Sequence, residues 1–381
     1  MKVKVFNYSL SVVDRLRFLY SCNQILCQAY LTDHSFVRKL EHMLYQYFSS
    51  EENSQICLPT VVNSATSALY IVFSTCFEIG DKVAVPNNTF IATYQSLVAA
   101  GLKPVVVDTH PSGVGISLDS LKKAHSLHRD LKGIVDVHIG GFISQEYDQL
   151  QRYCHTHRLF YVEDSAQAFG AKTEDGNYAG LLGDVGVHSF HLTKNLTSGE
   201  GGCILIGNQS HASLFESFRS RKSFGVGDQT TLYNTHSLNF KMPEFSAALG
   251  LVNLRNIHKR IKKRRLHSSR YHELLDKSKF EVYSDLSMKH QNSAYKCIVR
   301  APQSIIRRLE RSSDFTLTGY VYKNPLSQQP IVIKDHLEQK CFLSSSLYNS
   351  INFSQTHFCP PNYPEVLFTQ VRYLAKIANS I

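Results

Sequence analysis

Several things are scarce or missing in this 381-residue chain. No stretch approaches the ~20 consecutive apolar residues that a membrane span requires, and the opening Met1-Lys2-Val3-Lys4-Val5-Phe6 lacks the apolar core of a secretory leader. A cytoplasmic location is therefore expected. The nine cysteines, at 22, 27, 57, 76, 154, 203, 297, 341 and 359, are an odd number with no CxxC pair. That fits reduced, mostly buried thiols and disfavours a disulfide framework or a zinc site, so no metal is expected. No GxGxxG follows a strand, and neither GxxxxGK[ST] nor HExxH occurs. Nicotinamide-dependent dehydrogenases and P-loop ATPases are thereby disfavoured. With 11 prolines, 20 glycines, 43% hydrophobic and 19% charged residues, collagen-like and disordered readings are excluded too.

What is present begins with charge. Forty-one Lys and Arg against 31 Asp and Glu leave +10, a balance suited to anionic ligands. Much of it sits in Lys259-Arg260-Ile261-Lys262-Lys263-Arg264-Arg265. A solvated helix face explains that run better than a nucleic-acid patch, since no aromatic-interleaved basic motif or helix-turn-helix pattern accompanies it. No nucleic-acid partner is expected.

Between residues 55 and 207 short apolar runs alternate with helical patterns. Lys82 to Pro86, Pro104 to Asp108, Gly133 to Val137 and Leu159 to Asp164 are β-branched and continuous, as in parallel strands buried on both faces. Helix candidates lie at Ala65 to Phe77, Thr89 to Ala100 and Gln145 to His157. This rhythm predicts an α/β fold with a mainly parallel central sheet covered by helices. Asp184 to Phe190 and Gly202 to Gly207 read as paired strands around a polar loop. Pro243 opens a long amphipathic helix, with Phe245, Ala248, Leu249 and Val252 at i, i+3, i+4 and i+7. The expected division is a large α/β domain over 1–250 and a smaller C-terminal α+β domain over 251–381, joined by that helix.

Three segments carry chemistry. An apolar strand delivers Asp164 to its C-terminal end, where open α/β sheets place ligands. Another delivers Ser189, His191 and Lys194 to a glycine-rich loop, Gly199-Glu200-Gly201-Gly202. Asn63-Ser64-Ala65-Thr66-Ser67 opens an apolar helix whose unpaired N–H groups suit a phosphate. Taken singly, these could be a structural Asp, a surface Lys and an ordinary helix cap.

At these segments together the chain resembles the sugar-nucleotide aminotransferases of the DegT/StrS type, among the fold-type I pyridoxal-phosphate enzymes. The likeness runs through Gly80-Asp81-Lys82-Val83, Pro86-Asn87-Asn88-Thr89-Phe90-Ile91-Ala92-Thr93 and Gly101 to Asp108. It continues at Asn239-Phe240-Lys241-Met242-Pro243-Glu244 and Cys359-Pro360-Pro361-Asn362-Tyr363-Pro364. The resemblance implies a fold-type I architecture and pyridoxal 5′-phosphate as cofactor. It implies that Lys194 carries the cofactor and moves the proton, and that Asp164 pairs with the pyridinium nitrogen. Gln167 matches a residue lying against the ring or its phenolic oxygen, and Phe90 matches an aromatic stacked on the ring's other face. Thr66, Ser67 and Ser189 match phosphate contacts. Asn239 matches a residue that reaches the phosphate from the partner subunit, which implies a homodimer with shared active sites. His191, three residues before Lys194, is either near the proton transfer or a structural histidine.

The activity so implied is transfer of an amino group, from glutamate, onto a keto-deoxysugar linked to a nucleoside diphosphate. Gly199-Glu200-Gly201-Gly202 resembles relatives that act on 4-keto-6-deoxyhexoses, with amination at C-3 as the alternative. A sugar dehydratase of this fold carries histidine where Lys194 stands. A regulatory protein of the fold would be favoured by loss of Asp164 or Lys194, and both are present. Leu31-Thr32-Asp33-His34 and Tyr320 to Leu326 depart from the family pattern on elements that face the sugar.

Overall fold

The computed structural model describes residues 3–4, 6–49, 57–223, 236–283, 290–312 and 319–381. Two helices, α1 (Val12–Leu26) and α2 (Ser35–Phe48), precede strand β1 (Thr60–Val62). Helix and strand then alternate through α3 (Ala65–Cys76), β2 (Lys82–Pro86), α4 (Ile91–Ala99), β3 (Lys103–Val107), α5 (Leu118–Leu127), β4 (Leu131–Val137), α6 (Tyr147–His157) and β5 (Phe160–Asp164). Next come β6 (Val185–Ser189), β7 (Gly202–Ile206), α7 (Leu214–Lys222), α8 (Glu244–Leu254) and α9 (Ile257–Leu274). The last stretch holds β8 (Glu281–Val282), β9 (Val299–Arg300), α10 (Gln303–Arg311), α11 (Pro330–Leu337), β10 (Phe342–Leu343), α12 (Tyr348–Gln355), β11 (His357–Phe358) and α13 (Phe368–Ser380).

Among the described residues the main sheet has eight strands in the order β1-β7-β6-β5-β4-β2-β3-β10. From β6 to β10 all neighbours are parallel, whereas β7 runs antiparallel to both β6 and β1. Successive side chains leave a strand on opposite faces, and here both faces are covered. Val83, Val85, Val106, Val135 and Val162 point one way, onto Leu69, Val72, Phe73 and Leu97 of α3 and α4. Ala84, Val105, Val107, Ile134 and Tyr161 point the other way, onto Leu121 and Leu150 of α5 and α6. This is why the strands read as unbroken apolar runs. The expected paired strands at 184–190 and 202–207 are the antiparallel pair β6 and β7.

Two expectations need correction. The long helix after Pro243 is two helices, because Arg255 and Asn256 interrupt it. The basic run on α9 is only partly solvated: Arg260 and Arg264, one turn apart, are 9% and 3% exposed, while Lys259, Lys262 and Lys263 face water. The boundary at residue 250 is crossed by packing in both directions. β10 extends the main sheet, and Leu326, Val332 and Cys341 join its core. Val3 instead packs with Phe280, Val299, Phe358 and Leu374 around the three-stranded sheet β11-β9-β8. All nine cysteines are free thiols. No helix among the described residues is long and apolar enough to cross a membrane.

Candidate functional site

Register puts the chemistry on one edge. Asp164 ends β5 opposite Val187 of β6, and Ser189 follows two residues later on the same edge. The turn after β6 then carries His191 and Lys194, with the Lys194 N–H donating to the His191 carbonyl at 2.9 Å. Residues next to Asp164 fix its strand end. Glu163 is fully buried and accepts from the amides of Leu182 and Gly183 at 2.6 Å each, and from Gly180 at 2.8 Å. His138 Nε2 donates to the same carboxylate at 2.7 Å, while its Nδ1 accepts from the Ser144 amide. Five well-aligned bonds hold this layer beneath the site.

Asp164 itself is 5% exposed. Its Oδ2 accepts from the Thr93 hydroxyl at 2.7 Å and its Oδ1 from the Ala166 amide at 3.1 Å. Among the described residues it forms no ion pair. A buried carboxylate without a cation is costly. Gln167, on the turn after β5, accepts from the Gly140 amide at 2.8 Å and donates to the Tyr322 hydroxyl. Burial, with Asp164 adding to it, holds the Tyr322 phenol well above its usual range and so neutral.

Phe90 caps the start of α4 and is 61% exposed, although Asn87, Asn88 and Thr89 just before it are buried. This exposed aromatic, whose carbonyl accepts from the amide of Thr93, the residue that bonds Asp164, is available for stacking. At α3, Ser64 caps the helix by accepting from the Ser67 amide, and the Ser67 hydroxyl donates to Asn63. The amides of Ala65 and Thr66 have no intrahelical carbonyl to bond. Ser189 is 7% exposed and accepts from the His191 amide at 3.3 Å. Asn239 is exposed; its carbonyl accepts from the Asn63 side chain at 3.5 Å, beside the same helix start. The His191 ring turns to Thr193 rather than inward, with Nδ1 3.1 Å from Thr193 Oγ1.

Sequence reasoning missed a bracket formed by the segment before β9. Ser293 donates to the Gln167 carbonyl and accepts, through its own carbonyl, from the Asn195 side chain. Two residues on, the Tyr295 ring lies under Lys194, with Nζ 4.8 Å from its centroid. Arg264 of α9 donates to the carbonyls of Tyr295, Asn362 and Thr193, and Asn362 donates to Ala294. These contacts join the Asp164 turn to the Lys194 turn. The only sequence signal was the block around Asn362. A cleft of about 1190 Å³ at the opposite strand ends, lined by Arg152, Arg158, Asp184 and His211, contains none of these residues.

The chain is 29% identical over 207 residues to the GDP-perosamine synthase of Vibrio cholerae, covering 54% of this chain and 55% of that one. It is 30% identical over 261 residues to a pleiotropic regulatory protein of Geobacillus stearothermophilus, 66% of each chain. The chain thus spans about half the length of the perosamine synthases it matches. In structure it resembles PseC of Helicobacter pylori, an aminotransferase involved in pseudoaminic acid biosynthesis, with a TM-score of 0.83 over 97% of this chain and 96% of that one. At 22% identity that likeness is one of fold. Residues 15–378 match a single family from near one end of the chain to the other, and the protein belongs to the DegT/DnrJ/EryC1/StrS aminotransferase family.

Proposed function

We propose that this protein is a pyridoxal-phosphate-dependent transaminase that moves an amino group from glutamate onto a nucleoside-diphosphate-linked keto-deoxysugar, a 4-keto-6-deoxyhexose aminated at C-4. The observation that carries the reading is the buried, cation-free carboxylate of Asp164 on the same sheet edge as Lys194. Family enzymes use pyridoxal phosphate, and the residues present fit it. Asp164 would hold the ring nitrogen, Phe90 and Gln167 would flank the ring, and Thr66, Ser67 and Ser189 would meet the phosphate. When bound, the cofactor supplies an electron sink for the substrate carbanion. Lys194 Nζ would carry the cofactor, and its freed amine would take a proton from one carbon and return it to another. Asp164 would keep the ring nitrogen charged throughout.

Asn239 would serve the partner's phosphate in a homodimer. The apolar stripe of α1 supports a second copy: Val12, Leu16, Leu19, Tyr20 and Leu26 are each 61–70% exposed. The free thiols support a reducing, cytoplasmic setting. The Gly199-Glu200-Gly201-Gly202 loop supports C-4, and surface-polysaccharide or other glycoconjugate synthesis is the proposed destination. The test is to incubate purified protein and glutamate with nucleotide-linked 3-keto and 4-keto sugars, and to locate the new nitrogen by NMR. Nitrogen at C-3 with no turnover of a 4-keto-6-deoxy substrate would overturn the regiochemistry. No turnover of any sugar, with cofactor fixed on Lys194 by borohydride, would instead point to a regulatory protein.

A further inference from the structure

Tyr295 is 8% exposed and lies against three cations: Lys194 Nζ is 4.8 Å from its ring centroid, Lys296 Nζ 5.5 Å and the Arg264 guanidinium 5.8 Å. Its hydroxyl is 3.1 Å from Thr193 Oγ1, which is 3.1 Å from His191 Nδ1. The Thr193 amide also points at His191 Nδ1, at 3.3 Å, so Nδ1 presents its lone pair. The Thr193 hydroxyl therefore donates to His191, and the Tyr295 hydroxyl donates to Thr193. The chain runs from beside Lys194 to the surface, where the His191 side chain is 46% exposed with Nε2 3.7 Å from Glu200.

We propose that Tyr295, Thr193 and His191 form a proton relay that exchanges protons between solvent and the chamber around the Lys194 amine, with Tyr295 as its inner end. The relay rests on Lys194 being the cofactor-bearing lysine. In one passage outward, the Tyr295 hydroxyl gives its proton to Thr193 as Thr193 gives its own to His191 Nδ1. The His191 ring then loses its Nε2 proton to water, and Glu200 offsets the transient charge. The phenolate left behind takes the proton that the Lys194 ammonium must shed to act as a base, once the flexible lysine stem swings the amine from over the ring face to the hydroxyl. No electron changes hands.

The electrostatics suit such a role. Burial pushes the Tyr295 phenol up, but the positive charges of Lys194, Lys296 and Arg264 pull it down, to about 8. That value is close enough to neutral pH for proton exchange in either direction. Tyr322, the other phenol facing Tyr295, is held neutral by burial and Asp164. Two phenols in one chamber are thus pushed apart, one toward exchange and one toward fixed hydrogen bonding.

The test starts with the cofactor-free protein. An ultraviolet titration should show a phenol with a midpoint of about 8, absent in Tyr295→Phe and moved upward in Lys194→Ala. If Tyr295→Phe removes no phenol titrating below pH ~9, the relay is wrong. In the loaded enzyme, Tyr295→Phe and Thr193→Val should each lower kcat roughly ten- to a hundredfold with little change in KM. Thr193→Ser should restore it. Small buffers such as imidazole should rescue the two slow variants in proportion to concentration, which a packing defect would not allow; absence of that rescue counts against the relay. Borohydride labelling separates the two failures. Cofactor fixed on Lys194 with a silent Tyr295 refutes the relay alone, whereas cofactor fixed elsewhere refutes the reading of the site as well.

Discussion

Thr93 donates its hydroxyl proton to Asp164 and lies 2.8 Å from the Thr89 hydroxyl. A hydroxyl has one proton to give, so Thr89 donates to Thr93 and the two orient the carboxylate in series. Thr93→Val keeps the side-chain shape and removes the donor. A hydrogen bond to a charged acceptor is worth ~1.5–3 kcal/mol, so we expect cofactor affinity or kcat to fall roughly tenfold or more while the far-ultraviolet spectrum is unchanged. Equilibrium titration with pyridoxal phosphate and initial rates check this; an unaltered variant would mean that Ala166 alone positions Asp164. Asp164 and Lys194 were legible in the sequence because each follows an apolar run that could only be a buried strand. Thr93 was not, since a threonine inside a helix looks like any other. Tyr295 and Tyr322 were hidden for another reason: they arrive from irregular segments far along the chain, and only the fold sets their neighbours.

The start of α3 shows how an element depends on a neighbour. A Cβ added to Gly202 of β7 would lie 2.7 Å from the Ala65 amide and 2.8 Å from the Ser64 carbonyl carbon. Backbone cannot yield as a flexible side chain can, so Gly202→Ala should push the helix start away from the strand. Overpacking of this kind costs ~1–3 kcal/mol. We expect lower Tm together with weaker cofactor phosphate binding; a normal dissociation constant for pyridoxal phosphate would disconnect this helix start from the phosphate. β11 carries a different dependence. His357 is fully buried, stacks on Phe353 at 4.1 Å, donates from Nδ1 to the Phe353 carbonyl and accepts at Nε2 from the Val321 amide. Burial pushes its pKa down to about 4, against 6.5 for a free imidazole. Above pH 6.5 neither folded nor unfolded chain binds this proton. As pH falls from 6.5 toward 4 the unfolded chain takes it up and the folded chain does not, so stability declines by about 1.4 kcal/mol per unit. Urea unfolding between pH 7 and 4.5 should show that loss together with those of His188 and His267, which burial also pushes down to about 4, and His357→Gln should remove about 1.4 kcal/mol per pH unit from the total slope. The long strands were readable as elements, but β8, β9, β10 and β11 are two residues each. Such stubs leave no periodicity to detect.

At the scale of the molecule the proposed unit is a homodimer. If Asn239 serves the partner's site, mixing Lys194→Ala with Asn239→Ala protein should yield heterodimers with one restored active site. Verified heterodimers without restored activity would limit each site to one chain. Leu16→Glu with Leu19→Glu should weaken association, read by sedimentation, if the α1 stripe is part of the contact. The shape of the main sheet favours helices for that purpose. Its two borders are β1, three residues long, and β10, two residues long. Border strands that short offer a foreign strand almost no ladder to extend. Eight strands therefore end in blunt margins, and runaway edge-to-edge growth, the standing hazard of an extended sheet, is closed off by the brevity of its outermost members.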